Sequence, residues 1–221
     1  VSAADIQEVR SPGGITAWLV QERSIPMLAV EIQFRGGASL DPAGKEGLAN
    51  LLSGLLDEGA GDFDSQTFQG RLEDLAISLS YNAGRDGFSG SMRTLTEHTD
   101  AAFHLMRLSL TEPRFDQEPV ERIRSQVITG IRSREQNPDT IVGRTLFEKL
   151  YPNHPYGRPS RGTPNSVTTI TVDDLRAFVD RRFAKGNLIV GVVGDISAER
   201  LSGLLDQAFG DLPEALETSV S

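Results

Sequence analysis

Residues 28–35 alternate strictly, with Leu28, Val30, Ile32 and Phe34 on one face and Ala29, Glu31, Gln33 and Arg35 on the other. A period of two is the pattern of a half-buried strand. From Gly47 the period changes: Leu48, Leu51, Leu52, Leu55 and Leu56 fall at i, i+3, i+4, i+7 and i+8. That is an apolar helix stripe, predicted over Leu48–Leu56 and closed by Gly59 and Gly61. A chain that carries both periods has a sheet face and a helix stripe to bury, and the order of its elements decides the fold class.

Two strands precede, Ile6–Arg10 and Ile15–Val20, folded back on each other by the turn cluster Ser11-Pro12-Gly13-Gly14. A helix over Ser65–Leu75 follows the first helix. Ile77–Asn82 and Gly87–Leu95 then read as strands joined through Gly84-Arg85-Asp86-Gly87, a hairpin connection. Helices are predicted at Glu97–Thr111, Gln117–Arg134, Pro138–Leu150 and Val172–Ala184, the last opened by the capping-box pair Thr171 and Asp174. A strand at Leu188–Val193 and a helix capped by Ser197 and ending at Phe209 complete the series. Strands come first and helices follow in runs, so the fold class is α+β, a largely antiparallel sheet with helices packed on one face. One domain spans 1–212, and 213–221 reads as a linker toward a second, homologous domain.

The chain has 221 residues, no cysteine and three histidines, His98, His104 and His154. The missing thiols exclude disulfides, thiolate zinc sites and a cysteine nucleophile. Net charge is −9, so nucleic acid is not an expected partner, and no apolar run approaches a membrane span. The start, Val1-Ser2-Ala3-Ala4-Asp5, reads as a trimmed one.

Several segments carry a resemblance: Phe34-Arg35-Gly36-Gly37-Ala38-Ser39 with Asp41, Gly47-Leu48-Ala49, Glu112-Pro113-Arg114-Phe115-Asp116, and His154-Pro155-Tyr156-Gly157-Arg158-Pro159 with Gly162-Thr163. Asp173-Asp174-Leu175-Arg176-Ala177-Phe178 and Val192-Val193-Gly194-Asp195 continue it. Together they resemble the N-terminal half of a subunit of the M16 metallopeptidases, the pitrilysin and mitochondrial-processing-peptidase group. In active members the helix after Gly-x-Ala carries His-x-x-Glu-His, two histidines that hold zinc and a glutamate that activates water. Here that frame reads Asn50-Leu51-Leu52-Ser53-Gly54, and the later glutamate ligand aligns with Gly130. Asn50 is a poor zinc ligand, Ser53 lacks the basicity for a proton from metal-bound water, and Gly54 and Gly130 have no side chain.

The resemblance therefore implies a non-catalytic subunit, inactive alone and with no cofactor of its own. It pairs as a heterodimer with a zinc-bearing M16 homologue, which supplies zinc, and forms with it a chamber for peptide substrate. Family peptidases hold substrate as an added strand along a sheet edge. Tyr81, Asn82 and Ala83 resemble that edge, the candidate peptide contacts. The alternative is a structural interaction protein of the M16-like core-subunit type, with no role in proteolysis. The expected location is periplasmic, with the cytoplasm as the alternative.

The remaining candidates have plainer readings. His98 and His104 lie six residues apart, about 240° around a helix, and do not converge on a metal. His154 sits in a turn and packs a loop. Asp57 and Glu58 diverge by about 100° and suit solvent or a helix end. Gly191–Ser197 lacks the Lys-Ser/Thr of a phosphate loop. Arg122, Arg124, Arg132 and Arg134 are interleaved with Glu118, Glu121 and Glu135, a salt-bridged solvated face.

Overall fold

A computed structural model describes residues 5–214. Six strands, β1 (Ile6–Arg10), β2 (Thr16–Gln21), β3 (Met27–Arg35), β4 (Ser78–Ala83), β5 (Gly87–Leu95) and β6 (Leu188–Gly194), form one sheet in the order β1-β2-β6-β3-β5-β4. Four of the five neighbouring pairs are antiparallel and β2–β6 is parallel. The helices are α1 (Leu48–Ser53), α2 (Ser65–Asp74), α3 (Thr99–Thr111), α4 (Gln117–Arg134), α5 (Pro138–Leu150), α6 (Pro164–Thr169), α7 (Val172–Arg182) and α8 (Ala198–Phe209). The fold is α+β, as the element order requires.

The alternation in β3 sets which face is covered. Leu28, Val30, Ile32 and Phe34 are buried beneath the helices, while Glu31, Gln33 and Arg35 stand on the open face. Phe34 stacks on Phe183, which follows α7, with ring centroids 4.5 Å apart, and Phe88 of β5 tilts against the same ring at 5.1 Å. Each of these fully buried rings contributes roughly 1.5–3 kcal/mol through its burial. The open face carries Ile6, Trp18, Ile189 and Val193 in contact with solvent.

Two elements differ from the sequence reading. The first helix stops at Ser53 although Leu55 and Leu56 are buried as the stripe requires. Beyond Leu52 the chain runs in tight turns with i to i+3 bonds, Gly54 N–H to Leu51 O and Leu55 N–H to Leu52 O, so the leucines reach the core without a continuous helix. Helix α6 is the other, an element that no periodicity marks. Its signal was local: Thr163 and Ser166 cap each other reciprocally around Pro164. Of the segment expected to be a linker, residues 215–221 lie outside the described residues, as do residues 1–4. Pro213 and Glu214 accept hydrogen bonds from the N–H groups of Lys185 and Gly186.

Gly47 precedes α1 with φ +94, and a Cβ there would lie 2.6 Å from the Arg161 carbonyl oxygen. Backbone strain and a clash with backbone coincide at this position. Gly47→Ala is expected to destabilise the protein by about 2 kcal/mol or more in urea unfolding; a loss below about 0.5 kcal/mol would show that the close approach is not needed.

Candidate functional site

Helix α1 is held by a carboxylate rather than by a residue adjacent to it. Asp41, only 3% exposed, accepts the Gly47 N–H at 2.8 Å and the Ala49 N–H at 3.1 Å. It thereby satisfies donors at the start of the helix that have no partner within it. Burial pushes the Asp41 carboxyl up to about 7, against the pull of the Ala49, Gly47 and Leu48 N–H groups. The same loop is tied outward: Arg158 Nη1 donates to the Asp41 carbonyl at 3.1 Å, Ser166 Oγ to Glu46 O at 2.7 Å, and Lys45 pairs with Asp174 at 2.8 Å.

Leu48, Ala49, Leu51 and Leu52 point into the core, so Asn50, Ser53 and Gly54 turn the other way. They border a hollow of about 360 Å³ lined across from them by α4, through Ile123, Val127, Gly130 and Arg134, and also by Tyr81 and Arg161. All four positions that the resemblance aligns with the metal motif thus share one hollow. Ser53 Oγ donates to the Asn50 carbonyl at 2.9 Å. A Cβ at Gly54 would meet Ile123 Cγ2 at 3.0 Å, so α4 crowds that position, whereas Gly130 has open space beside it.

These groups do not fit zinc. The hollow offers an amide, a hydroxyl and two glycines, with no imidazole or carboxylate among the four positions. Among the described residues no group of three or more His, Asp or Glu side chains is placed to hold a metal ion. His104 is exposed on α3, His98 precedes that helix, and His154 accepts the Tyr156 N–H through Nδ1 at 3.2 Å, the loop-packing role read from its turn.

The peptide-contact candidates separate. The Tyr81 side chain borders the hollow, and its hydroxyl bonds Ser109 Oγ. Burial holds the phenol well above its ordinary pKa. Ala83 packs against the core beside it, while Asn82 is exposed on the other face of β4. What unites the three is the strand: β4 lies at the end of the sheet and pairs only with β5.

Two charge readings are corrected. Asp57 and Glu58 do not face solvent freely: Glu58 receives Arg122 at 2.6 and 3.2 Å and the Ser65 hydroxyl at 2.5 Å. Nor is α4 uniformly salt-bridged. Arg122 and Arg124 pair with Glu58, Glu118 and Glu121, but Arg132 and Arg134 have no ion pair among the described residues. Arg134 instead lines the hollow together with Arg161, whose placement no periodicity announced.

Burial pushes the Asp57 carboxyl up to about 6, and the neighbouring Glu58 charge adds to the effect. The folded protein therefore keeps a proton that the unfolded chain releases near its ordinary value of 3.8. Its stabilising contribution is complete below that value and is lost as pH rises through about 6. Asp57→Asn is expected to flatten this part of the urea-unfolding profile between about pH 4 and 6.5; an unchanged slope would show that Asp57 titrates normally.

The sequence model described as Insulinase (Peptidase family M16) matches residues 18–164, and that described as Peptidase M16 inactive domain matches residues 169–219. The "Non-peptidase homolog YmxG" of Helicobacter pylori is 29% identical over 190 residues, 86% of this chain and 44% of its own. Mitochondrial-processing peptidase subunit beta of Saccharomyces cerevisiae is 22% identical over 204 residues, 92% of this chain and 44% of its own. A crystal structure described as the peptidase M16 inactive domain from Pseudomonas fluorescens aligns with a TM-score of 0.89 at 28% identity, over 97% of this chain and 53% of that one. The chain spans about half the length of these relatives. A match to the family over most of its length, carried on the sheet and helices described above, makes this chain a member of the M16 peptidase family.

Proposed function

We propose that the chain is the N-terminal half of a non-catalytic M16 subunit, which pairs with a zinc-bearing homologue and forms one wall of a shared peptide chamber. One observation carries this reading. The hollow beside α1 is assembled by Asp41 and α4, yet the four aligned positions hold Asn50, Ser53, Gly54 and Gly130. The names of two relatives, a non-peptidase homologue and an inactive domain, support it.

On this reading no proton transfer or hydrolysis takes place on the chain's own residues. Their work is to hold peptide: β4 has no strand on its outer side, and main-chain groups there accept an extended segment with little sequence demand. Hydrolysis belongs to the homologue, where a bound zinc would supply Lewis-acid chemistry. The proposal includes a periplasmic location and a second homologous domain beyond this chain.

A structural core-subunit role is favoured by a different feature, the open sheet face with Ile6, Trp18, Ile189 and Val193 exposed, which suits a constitutive partner. One experiment separates the two: zinc content and peptide hydrolysis measured on full-length protein, alone and mixed with the zinc-bearing homologue from the same genome. Substoichiometric zinc, no hydrolysis alone and faster cleavage on mixing are expected. Stoichiometric zinc with chelator-sensitive hydrolysis by the protein alone overturns the non-catalytic reading. Stable association without any gain in cleavage favours the structural role.

A further inference from the structure

Beside the hollow at α1 lies a second cavity, of about 210 Å³, under α5. Five arginines line it: Arg85, Arg134, Arg144, Arg158 and Arg161. Glu135 is the only carboxylate among the lining residues. In a chain with 31 acidic and 22 basic residues, this is a concentration of positive charge against the overall sign.

Arg85 and Arg158 are held in place without being neutralised. Arg85 Nη1 donates to the Tyr156 carbonyl at 2.8 Å, and its guanidinium lies 4.0 Å from the centre of the Phe147 ring. Arg158 is held by the Asp41 carbonyl. Carbonyls and an aromatic face orient a guanidinium without cancelling its charge. Arg144 has an ion pair, to Glu148 at 3.8 Å, whereas Arg85, Arg134, Arg158 and Arg161 have none among the described residues. Arg134 and Arg161 also make no side-chain hydrogen bond there, and both border the two cavities. They stand close enough that the Arg134 charge, added to burial, holds the Arg161 guanidinium below its ordinary pKa. Like charges left facing one hollow are a standing repulsion that an anion relieves.

We infer that this arginine-lined cavity binds a carboxylate side chain of an acidic, extended peptide whose backbone runs along the outer edge of β4. The inference rests on the peptide-holding reading above and names the class of peptide. Ile131, Arg134 and Arg161 belong to both cavities, so the two lie side by side, one reaching Tyr81 on the edge strand and the other Phe147 on α5. Ile131, Ile141 and Phe147 supply an apolar wall suited to the methylene stem of a glutamate, with the guanidiniums at its head.

The test uses full-length protein and fluorescence anisotropy with labelled peptides that are identical except for glutamate or glutamine at the same positions, and a phosphoserine version of the same peptide. The glutamate peptide is expected to bind about tenfold tighter at low salt, an advantage that shrinks as salt rises. The double variant Arg134→Gln/Arg161→Gln is expected to erase the difference. Arg132→Gln, on the same helix but outside both cavities, is expected to keep it. Thermal unfolding of each variant checks that the fold is intact. Equal affinity for the glutamate and glutamine peptides overturns the arginine assignment while the edge-strand reading stands. Binding of neither removes both. Binding of a phosphoserine version alone overturns the carboxylate assignment.

Discussion

The buried carboxylate of Asp41 is the point on which the site depends. It sits in a loop, yet it does what an N-cap does for α1, accepting the Gly47 and Ala49 N–H groups through its two oxygens. Its own carbonyl takes Arg158, and the Gly47 that it caps lies against the Arg161 carbonyl. One residue therefore ties together the helix that carries Asn50, Ser53 and Gly54 and the loop that carries two arginines of the neighbouring cavity. Its position inside the protein costs desolvation, which appears as the raised pKa, and only a fold that needs α1 in place offsets that cost.

This explains why the helix persists although its exposed side holds no metal donors. Leu48, Leu51, Leu52, Leu55 and Leu56 are at most 3% exposed, and they belong to the hydrophobic core. Replacing the polar positions on the other side leaves that packing intact, so chemistry and fold are separable on this element. Gly54 marks the seam. The absence of a side chain lets Ile123 approach, and the regular helix ends at the preceding residue.

Much of this was legible in the sequence because it depends on period. Alternation in β3, the leucine stripe and the hairpin before β5 each describe a local pattern that tertiary structure then used. The end of α1 was not legible: the stripe Leu48–Leu56 has helical spacing, and only the contact between residue 54 and α4 distinguishes a helix from successive tight turns. Helix α6 was legible in principle from Thr163, Pro164 and Ser166, but six residues carry too short a pattern for periodicity to register. The long-range facts were not legible at all. That Arg134 meets Arg161 while Arg122 meets Glu58 depends on how α4 rotates over α1, and the interleaved acids in its sequence conceal the difference.

The placement of those arginines agrees with the chemistry of the four residues at the same hollow. A zinc site needs anionic or strongly donating ligands around a dication, and uncompensated guanidiniums facing the same hollow oppose that charge. An amide, a hydroxyl and two glycines at the aligned positions demand no positive ion, so positive side chains at the rim conflict with none of them. Arg134 and Arg161 are compatible with Asn50, Ser53, Gly54 and Gly130 in a way they would not be with two histidines, two glutamates and a metal. The hollow therefore turns guanidiniums toward an open groove, a charge sense opposite to the one a bound cation demands of its surroundings.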